Sequence, residues 1–254
     1  MNKRIKVLVS AVLAAVMLVL CMIFCVVACN KKGDETDTTE TTAAETVDYA
    51  AKSEGVMTYA EYDAAEMDAE VVVEAYVQAT QSWWDNKITV YLQDPDGAYF
   101  VYELACAEED AAKLTKGTKI KVTGYKGAWA GEIEIMDGKF EFVEDGLTWV
   151  AEATDVTELL GEDKLIEHQN KFVKFEDMTV EAISYKNGEP GDDIYVDVSK
   201  NGETYSFCVE RYLTDPDTEV YKAVGELKAG DVIDIEGFLY WYEGVNTHIT
   251  AVSK

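Results

Sequence analysis

The chain has 254 residues, of which 48% are hydrophobic and 28% charged, a composition that excludes a wholly disordered or collagen-like protein. Lysine and arginine number 22 against 49 aspartates and glutamates, which gives a formal net charge of −27. Such an excess of negative charge repels phosphate backbones and anionic lipid unless a basic patch survives locally. Fifteen tyrosines, five tryptophans and 17 glycines against three prolines indicate a β-rich fold with tight turns.

The N-terminus has the layout of an export signal. Three basic residues precede an apolar run over 7–27, as in a secretory signal or a signal anchor. The run ends in two valines followed by Ala28-Cys29, which resembles the lipobox of bacterial lipoproteins. The resemblance implies a lipoprotein signal peptide over 1–28 and lipid attachment to Cys29. The alternative is an uncleaved helix, and both alternatives place the rest of the chain on the outer face of the bacterial cell membrane.

The segment 29–55 is predicted to be a disordered tether that begins at the lipidated cysteine. It is rich in threonine and acidic residues and shows no apolar periodicity, so it cannot bury enough surface to offset its ordering entropy. Beyond the export segment only Cys106 and Cys208 remain. We expect buried free thiols at these two positions rather than a disulfide, because two lone cysteines carry no framework pattern.

An internal repeat decides the fold prediction. A pattern of leucine, glycine and alternating β-branched residues recurs 113 residues further along the chain. Its copies are Leu114, Gly117, Ile120, Val122 and Gly124, and then Leu227, Gly230, Ile233, Ile235 and Gly237. Upstream matches occur at offsets of 103 to 107. Each change of offset falls in a predicted loop, as expected of two diverged copies of one domain.

Alternation of apolar and polar residues predicts five strands and one helix in each copy. The first copy has strands at 70–80, 86–93, 98–105, 118–125 and 131–136, with a helix near 107–114. The second copy has strands at 171–184, 193–199, 203–210, 231–239 and 245–252, with a helix near 217–226. Between the copies, 139–143 and 148–150 alternate like edge strands, and a linking helix is expected to begin at Thr157.

Three strands, a helix and two more strands is the order of the OB-fold, a five-stranded Greek-key barrel. We therefore predict a mainly β protein with two tandem OB-fold-like barrels over 56–150 and 169–254, joined by a linking segment over 151–168. Both copies resemble the OB-like domains of Gram-positive surface lipoproteins and the non-catalytic domain of cell-wall nucleases. This resemblance covers about 57–254 and rests on strand order and short motifs.

Catalytic and metal-binding motifs are missing from the sequence. His168 and His248 are the only histidines, which argues against a histidine-centred triad or a multi-histidine metal site. Acidic turns near 94–97, 189–193 and 215–217 leave calcium binding or an acidic cell-wall hydrolase as alternatives, although their composition is typical of turns. We expect no metal, no cofactor and no enzymatic activity.

Aromatic residues are the candidate ligand contacts. An OB-fold binds ligands over its second and third strands, between the loop that joins strands one and two and the loop that joins strands four and five. The aromatic residues in these loops are Trp83, Trp84, Trp129, Tyr240, Trp241 and Tyr242. Exposed rings there would stack on sugars or bases, whereas buried ones would cap a barrel. Since neighbours on a strand point oppositely, Trp83 and Trp84 cannot both be buried on one face.

Charge sets the expected partner. Residues 56–150 hold 7 basic and 19 acidic residues (net −12), and 151–254 hold 9 and 23 (net −14), which disfavours nucleic acid. Lys119 and Lys121 belong to the one local concentration of lysines, and their alternation with apolar residues predicts the solvent face of a strand. The leading hypothesis is a lipid-anchored extracytoplasmic binding module with a glycan or protein ligand. A single-stranded nucleic-acid-binding protein is the alternative, beside the hydrolase.

Overall fold

The computed structural model describes residues 47–254, which form one compact unit. The predicted signal peptide, Cys29 and most of the tether lie outside these residues. No helix within 47–254 is both long and apolar enough to cross a membrane. The last residues of the predicted tether contact the first barrel, where Lys52 Nζ donates to the Glu74 carbonyl (2.6 Å) and pairs with the Asp94 carboxylate.

The first half of the described chain is a closed five-stranded barrel, named barrel 1. Its elements are α1 (Tyr59–Ala64), β1 (Glu70–Thr80), β2 (Lys87–Gln93), β3 (Ala98–Ala105), α2 (Glu108–Ala111), β4 (Lys119–Trp129) and β5 (Glu132–Phe142). The strands close in the order β1-β2-β3-β5-β4, and β3 runs parallel to β5. Helix α1 was not predicted, although Thr58 and Glu61 form the capping box that starts it.

The second half repeats this topology and is named barrel 2. Its elements are β6 (Thr154–Asp155), β7 (Phe172–Tyr185), β8 (Ile194–Lys200), β9 (Glu203–Val209), α3 (Glu219–Gly225), β10 (Val232–Phe238) and β11 (His248–Ser253). A pairing between β10 and β7 closes the ring β7-β8-β9-β11-β10, and β6 adds to its outside. Only the Cys208–His248 pair joins β9 to β11 in the described ladder. The prediction of a mainly β, OB-like fold is confirmed.

The segment between the barrels differs from its prediction. The stretch over 139–143 continues β5 to Phe142, and no strand is found at 148–150. The next residue, Ala151, is held by a side chain of barrel 1, since its backbone N–H donates to Gln78 Oε1 (2.9 Å). The expected linking helix at Thr157 is two short 3-10 helices, Thr157–Leu159 and Asp163–His168.

The predicted solvent exposure of Lys119 is wrong. Its side chain is buried and forms ion pairs with Glu74 and Asp145, both at 2.9 Å. A period-two pattern shows which face of a strand a residue occupies but not whether another segment covers that face. Here the covering segment carries Asp145.

An aromatic joint fixes the two barrels against each other. Tyr91 of β2 stacks on Phe238 of β10 with ring centroids 4.5 Å apart, and Phe100 of β3 packs edge-on to Tyr91 at 5.1 Å. The Phe172 N–H donates to Gln93 Oε1 (2.8 Å) across the same joint. The clefts described below lie beside this joint and are lined by both barrels.

Candidate ligand-binding clefts

The first cleft, named the Trp84 cleft, has a volume of about 620 Å³. Barrel 1 supplies Trp83, Trp84, Lys87 and Tyr102, and the segment after β9 supplies Arg211 and Tyr212. Trp84 is 70% exposed and Tyr212 is 54% exposed. Large rings that remain so open to solvent at the wall of a cavity are available to stack on a planar ligand.

A tight turn presents Trp84 to the cleft. The backbones of Trp84 and Lys87 exchange both hydrogen bonds (3.0 and 2.9 Å), and the two residues between them, Asp85 and Asn86, have φ of 47° and 60°. Aspartate and asparagine tolerate this left-handed region best among residues other than glycine. Trp84 therefore flanks the two-residue loop of a tight hairpin and lies outside the barrel wall.

Trp83 takes a different role from its neighbour. Its indole N–H donates to the Cys106 carbonyl (2.9 Å), and its ring packs against the core of barrel 1. One tryptophan of the pair is thus partly buried and the other exposed. This arrangement agrees with the opposite directions expected of adjacent side chains.

Arg211 brings an unpaired positive charge to the Trp84 cleft. Its guanidinium lies 5.1 Å from the ring centroid of Tyr212, and no salt bridge to Arg211 is found within 47–254. Lys87, in contrast, pairs with Glu103 at 2.5 Å. With Asp215 also on the wall, two cations balance two carboxylates and the cleft is locally neutral.

The second cavity, named the inter-barrel groove, has a volume of about 1330 Å³. Its most exposed rings are Trp129 (62%) and Tyr242 (54%), and Phe100, Tyr102 and Tyr240 lie along the same groove. Tyr102 and Gln81 border both cavities, so the two are neighbours on one surface. The predicted ligand contacts Trp84, Trp129, Tyr240 and Tyr242 therefore all reach this surface.

Two loops bring aromatic residues from both barrels to the groove. Trp129 ends β4 just before a turn at Ala130 (φ 50°) and Gly131 (φ 99°). The Glu243 N–H, from the loop between β10 and β11, donates to the Ala130 carbonyl (2.7 Å). The loops that were predicted to flank two separate ligand faces thus meet and place Trp129 and Tyr242 beside one cavity.

Trp241 serves the contact between the loops rather than the groove wall. Its ring packs against the core of barrel 2. A Cβ atom at Gly131 would lie 2.8 Å from the indole Cδ1, so the glycine lets the two loops approach closely. The backbone N–H of Trp241 donates to Glu132 Oε2 (2.8 Å), which adds a polar contact between the barrels.

The floor of the groove carries a neutral histidine. His248 is 94% buried, stacks on Tyr240 with ring centroids 4.1 Å apart, and its Nδ1 lies 2.7 Å from the Tyr91 hydroxyl. Burial lowers the pKa of His248 to about 3. The imidazole therefore adds no positive charge to the groove at neutral pH.

Acidic side chains dominate the walls of the groove. Glu134, Asp193, Glu210 and Glu243 line it, with Lys186 as the accompanying cation. Lys186 is itself tied to Asp193 at 2.8 Å. Burial, with the nearby charge of Asp193, raises the pKa of Glu210 to about 7. Four carboxyl groups against one lysine give the groove a net negative charge even while Glu210 is protonated, unlike the balanced Trp84 cleft.

Sequence reasoning missed several residues of both cavities. Tyr102 alternates with buried residues along β3, and this outward position was a usable signal. Arg211 and Tyr212 follow the last residue of β9, in a loop of barrel 2 that reaches barrel 1 through the Ser82 N–H donating to the Tyr212 carbonyl (2.7 Å). No pattern within one repeat predicts such a contact between repeats.

Neither cysteine lies at an exposed reactive site. Cys106 and Cys208 are free thiols and both are buried. Within 47–254 no three histidine, cysteine, aspartate or glutamate side chains are grouped so as to hold a metal ion. The acidic turn at Asp94 is occupied by its own backbone, since Asp94 Oδ1 accepts from the N–H groups of Asp96 (2.7 Å) and Gly97 (3.1 Å).

No protein-family model and no curated protein matches the chain. Among solved structures it is similar to a murine DNA-binding protein bound to double-stranded DNA, with 13% identity, a TM-score of 0.37, and coverage of 74% of this chain and 98% of that one. It is also similar to the Ifi202 HINa domain in complex with 20-bp double-stranded DNA, with 9% identity, a TM-score of 0.34, and coverage of 73% of this chain and 98% of that one. A single-stranded DNA-binding protein from Thermus aquaticus matches with 12% identity, a TM-score of 0.25, and coverage of 74% of this chain and 94% of that one. The fold is OB-like by the strand order of its closed barrel.

The expectation that nucleic acid is disfavoured as a partner is wrong. The solved neighbours include a single-stranded DNA-binding protein and domains bound to double-stranded DNA. The net charge of each half does not show how charges are distributed over its surface. In the Trp84 cleft the cations and carboxylates are equal in number, whereas the excess of acidic residues lies in the groove and elsewhere. What those neighbours bind is a property of those proteins.

Proposed function

We propose that the chain is a non-catalytic binding module that holds one or two bases of single-stranded nucleic acid in the Trp84 cleft. The observation that carries the proposal is the set of exposed rings, Trp84, Tyr102 and Tyr212, beside Arg211, which forms no salt bridge within the described residues. Every base has an aromatic face, and stacking on a protein ring is worth about 1–3 kcal/mol per base. A volume of about 620 Å³ suits a short segment rather than a long strand.

The charge of the cleft sets the expected salt dependence. A protein that contacts many phosphates with its cations loses affinity steeply as salt rises. On single strands the slope of log K against log salt concentration is about −0.7 for each neutralised phosphate. Here Arg211 is the unpaired cation, because Lys87 is held by Glu103. We therefore expect binding that depends mainly on stacking. The slope of log K against log salt concentration should be shallow, near −0.7, the value for one neutralised phosphate.

The test is a fluorescence titration of the full chain in detergent with short single-stranded DNA and RNA. Trp84→Ala should weaken binding about 5- to 150-fold, the equivalent of one stacked base. Tyr125→Ala is the matched control, since Tyr125 is exposed on β4 but borders neither cavity. Equal affinity of wild type and Trp84→Ala, or saturable binding of cell-wall glycans alone, would contradict the proposal.

The proposal also attaches the module to the outer face of the cell membrane through Cys29. Its support is the sequence alone: an apolar run after basic residues, a small residue before the cysteine and a polar tether after it. Cys29→Ala should abolish incorporation of a labelled fatty acid and leave a longer, unprocessed precursor. Wild-type protein that takes up no label and keeps its full length would show that the apolar run is an uncleaved anchor instead.

A further inference from the structure

The inter-barrel groove combines exposed aromatic rings with negative charge, and the proposed binding of nucleic acid in the Trp84 cleft uses neither that charge nor the rings of Trp129 and Tyr242. Trp129 and Tyr242 keep 62% and 54% of their surface exposed on its wall. Four carboxylates line the same cavity against one lysine that is already paired. Phosphate would be repelled there, so the ligand of the groove has to be of another class.

Cations carrying aliphatic carbon complement such walls. The faces of tryptophan and tyrosine attract ammonium groups, and the rings pack against methylene carbons at the same time. The floor does not oppose a cation, because burial keeps His248 neutral, with its pKa lowered to about 3. Lys186 is neutralised by Asp193 at 2.8 Å.

The carboxylates come from different elements, and within 47–254 no three acidic side chains are gathered closely enough to hold a metal ion. Glu134 lies on β5 of barrel 1, Glu210 follows β9, and Glu243 lies in the loop between β10 and β11. The backbone N–H groups of Tyr212 (3.1 Å) and Leu213 (2.8 Å) donate to Glu210 and hold its carboxylate in place. A ligand with a single ammonium group would leave most of these charges uncompensated.

We propose that the inter-barrel groove binds a linear aliphatic polyamine, whose ammonium groups contact the separated carboxylates while its methylene segments lie on Trp129 and Tyr242. The volume of about 1330 Å³ accommodates an extended chain of this kind. The groove shares Tyr102 with the Trp84 cleft but differs from it in charge, and Trp129 and Tyr242 line the groove alone, so either proposal can fail without the other.

Calorimetric titration of the full chain in detergent with spermidine tests the proposal. It is performed in physiological salt at about pH 8, where a carboxyl group with a pKa of about 7 is mostly ionised. We expect one saturable site. Trp129→Ala and Tyr242→Ala should each weaken binding about 2- to 30-fold, the range of a cation–π contact, without lowering oligonucleotide binding. Both side chains are exposed, so the variants are expected to fold, and circular dichroism checks this.

Matched charge variants separate the groove from the general acidity of the protein. Glu243→Gln removes a charge from the groove, whereas Glu141→Gln removes one from β5 outside both cavities, where its side chain is 74% exposed. Glu243→Gln should weaken binding and Glu141→Gln should not. Equal effects of the two, an unchanged affinity in Trp129→Ala, or equally tight binding of an uncharged diol of matched length would overturn the proposal. Tighter binding of a lysine-rich peptide than of spermidine would overturn the polyamine as the occupant.

Discussion

Glu132 shows how a single buried carboxyl group connects the two barrels. Its Oε2 accepts hydrogen bonds from the backbone N–H of Trp241 (2.8 Å) and from Gln169 Nε2 (3.1 Å), both beyond barrel 1. Its Oε1 is buried and finds no hydrogen-bond partner within 47–254. Burial outweighs the hydrogen bonds and raises the pKa of Glu132 to about 8 from its ordinary 4.5. The folded protein therefore keeps a proton that the unfolded chain releases.

This proton predicts a stability that depends on pH. The native state binds more protons than the unfolded state between about pH 4.5 and pH 8, so the contribution of Glu132 is full below that range and is lost as pH rises through it. Each tenfold difference in proton affinity is worth about 1.4 kcal/mol. Glu132→Gln should remove this loss, and urea unfolding at about pH 5, 7 and 9 should show the variant gaining on wild type as pH rises.

Comparing variants at each pH isolates Glu132 from other titrating groups. His248, with its pKa lowered to about 3 from 6.5, costs stability as pH falls below 6.5, but it does so equally in wild type and in Glu132→Gln. Glu141→Gln on the same strand is the control, because that side chain is largely exposed. Parallel pH curves for wild type and Glu132→Gln would mean that Glu132 stays ionised in the folded protein.

At the scale of elements, the repeated glycines have a packing reason. A Cβ atom at Gly124 in β4 would lie 2.6 Å from Ile135 Cγ2 and 2.7 Å from the Met136 carbonyl, and one at Gly237 in β10 would lie 2.3 Å from the His248 carbonyl. Both glycines lie at a register shift against the last strand of their barrel. The repeat in the sequence therefore marks the point where each barrel brings two backbones too close for a side chain.

Strands were predictable because each barrel wall faces a core on one side, and this gives a period of two. The joint between the barrels was not predictable from the same pattern. Tyr91 alternates with Val90 and Leu92 and therefore falls on the outward face of β2, yet it is almost fully buried against Phe238. Alternation separates the two faces of a strand, but it does not show that a second barrel covers the outer one.

The residues of the candidate site were likewise predictable only in part. Trp84 and Trp129 were predictable from the loops of an OB-fold, because both lie at tight turns that expose a side chain. Trp241 was assigned to the ligand face, but its ring lies against Gly131 and the core of barrel 2. Arg211 reaches the Trp84 cleft only because the barrels are docked, so its role depends on an arrangement that neither repeat encodes alone.

At the scale of the whole molecule, the joint makes the two barrels one mechanical unit. Tyr91 stacks on Phe238 with ring centroids 4.5 Å apart, and Phe172 packs on the same ring at 5.4 Å with a tilt of 46°. Polar contacts surround them, including Asn170 Nδ2 donating to the Ile133 carbonyl (3.0 Å). Both cavities are lined by residues of both barrels, so ligand binding in either one requires the joint to be intact.

Coupling through the joint predicts that the full chain unfolds in a single calorimetric transition at a higher temperature than either half, 56–150 or 151–254, expressed alone. Phe238→Ala removes the central ring, and truncating a buried phenylalanine costs about 3–5 kcal/mol. Because that loss falls on the contact between the barrels, the variant should unfold in two transitions, with a calorimetric enthalpy above the van't Hoff value. Phe140→Ala is the control, since Phe140 packs on the core of barrel 1 alone and should lower the transition temperature without splitting it. Two transitions in the wild type would show that the barrels unfold independently, and a single transition in Phe238→Ala would show that contacts other than this aromatic joint couple them.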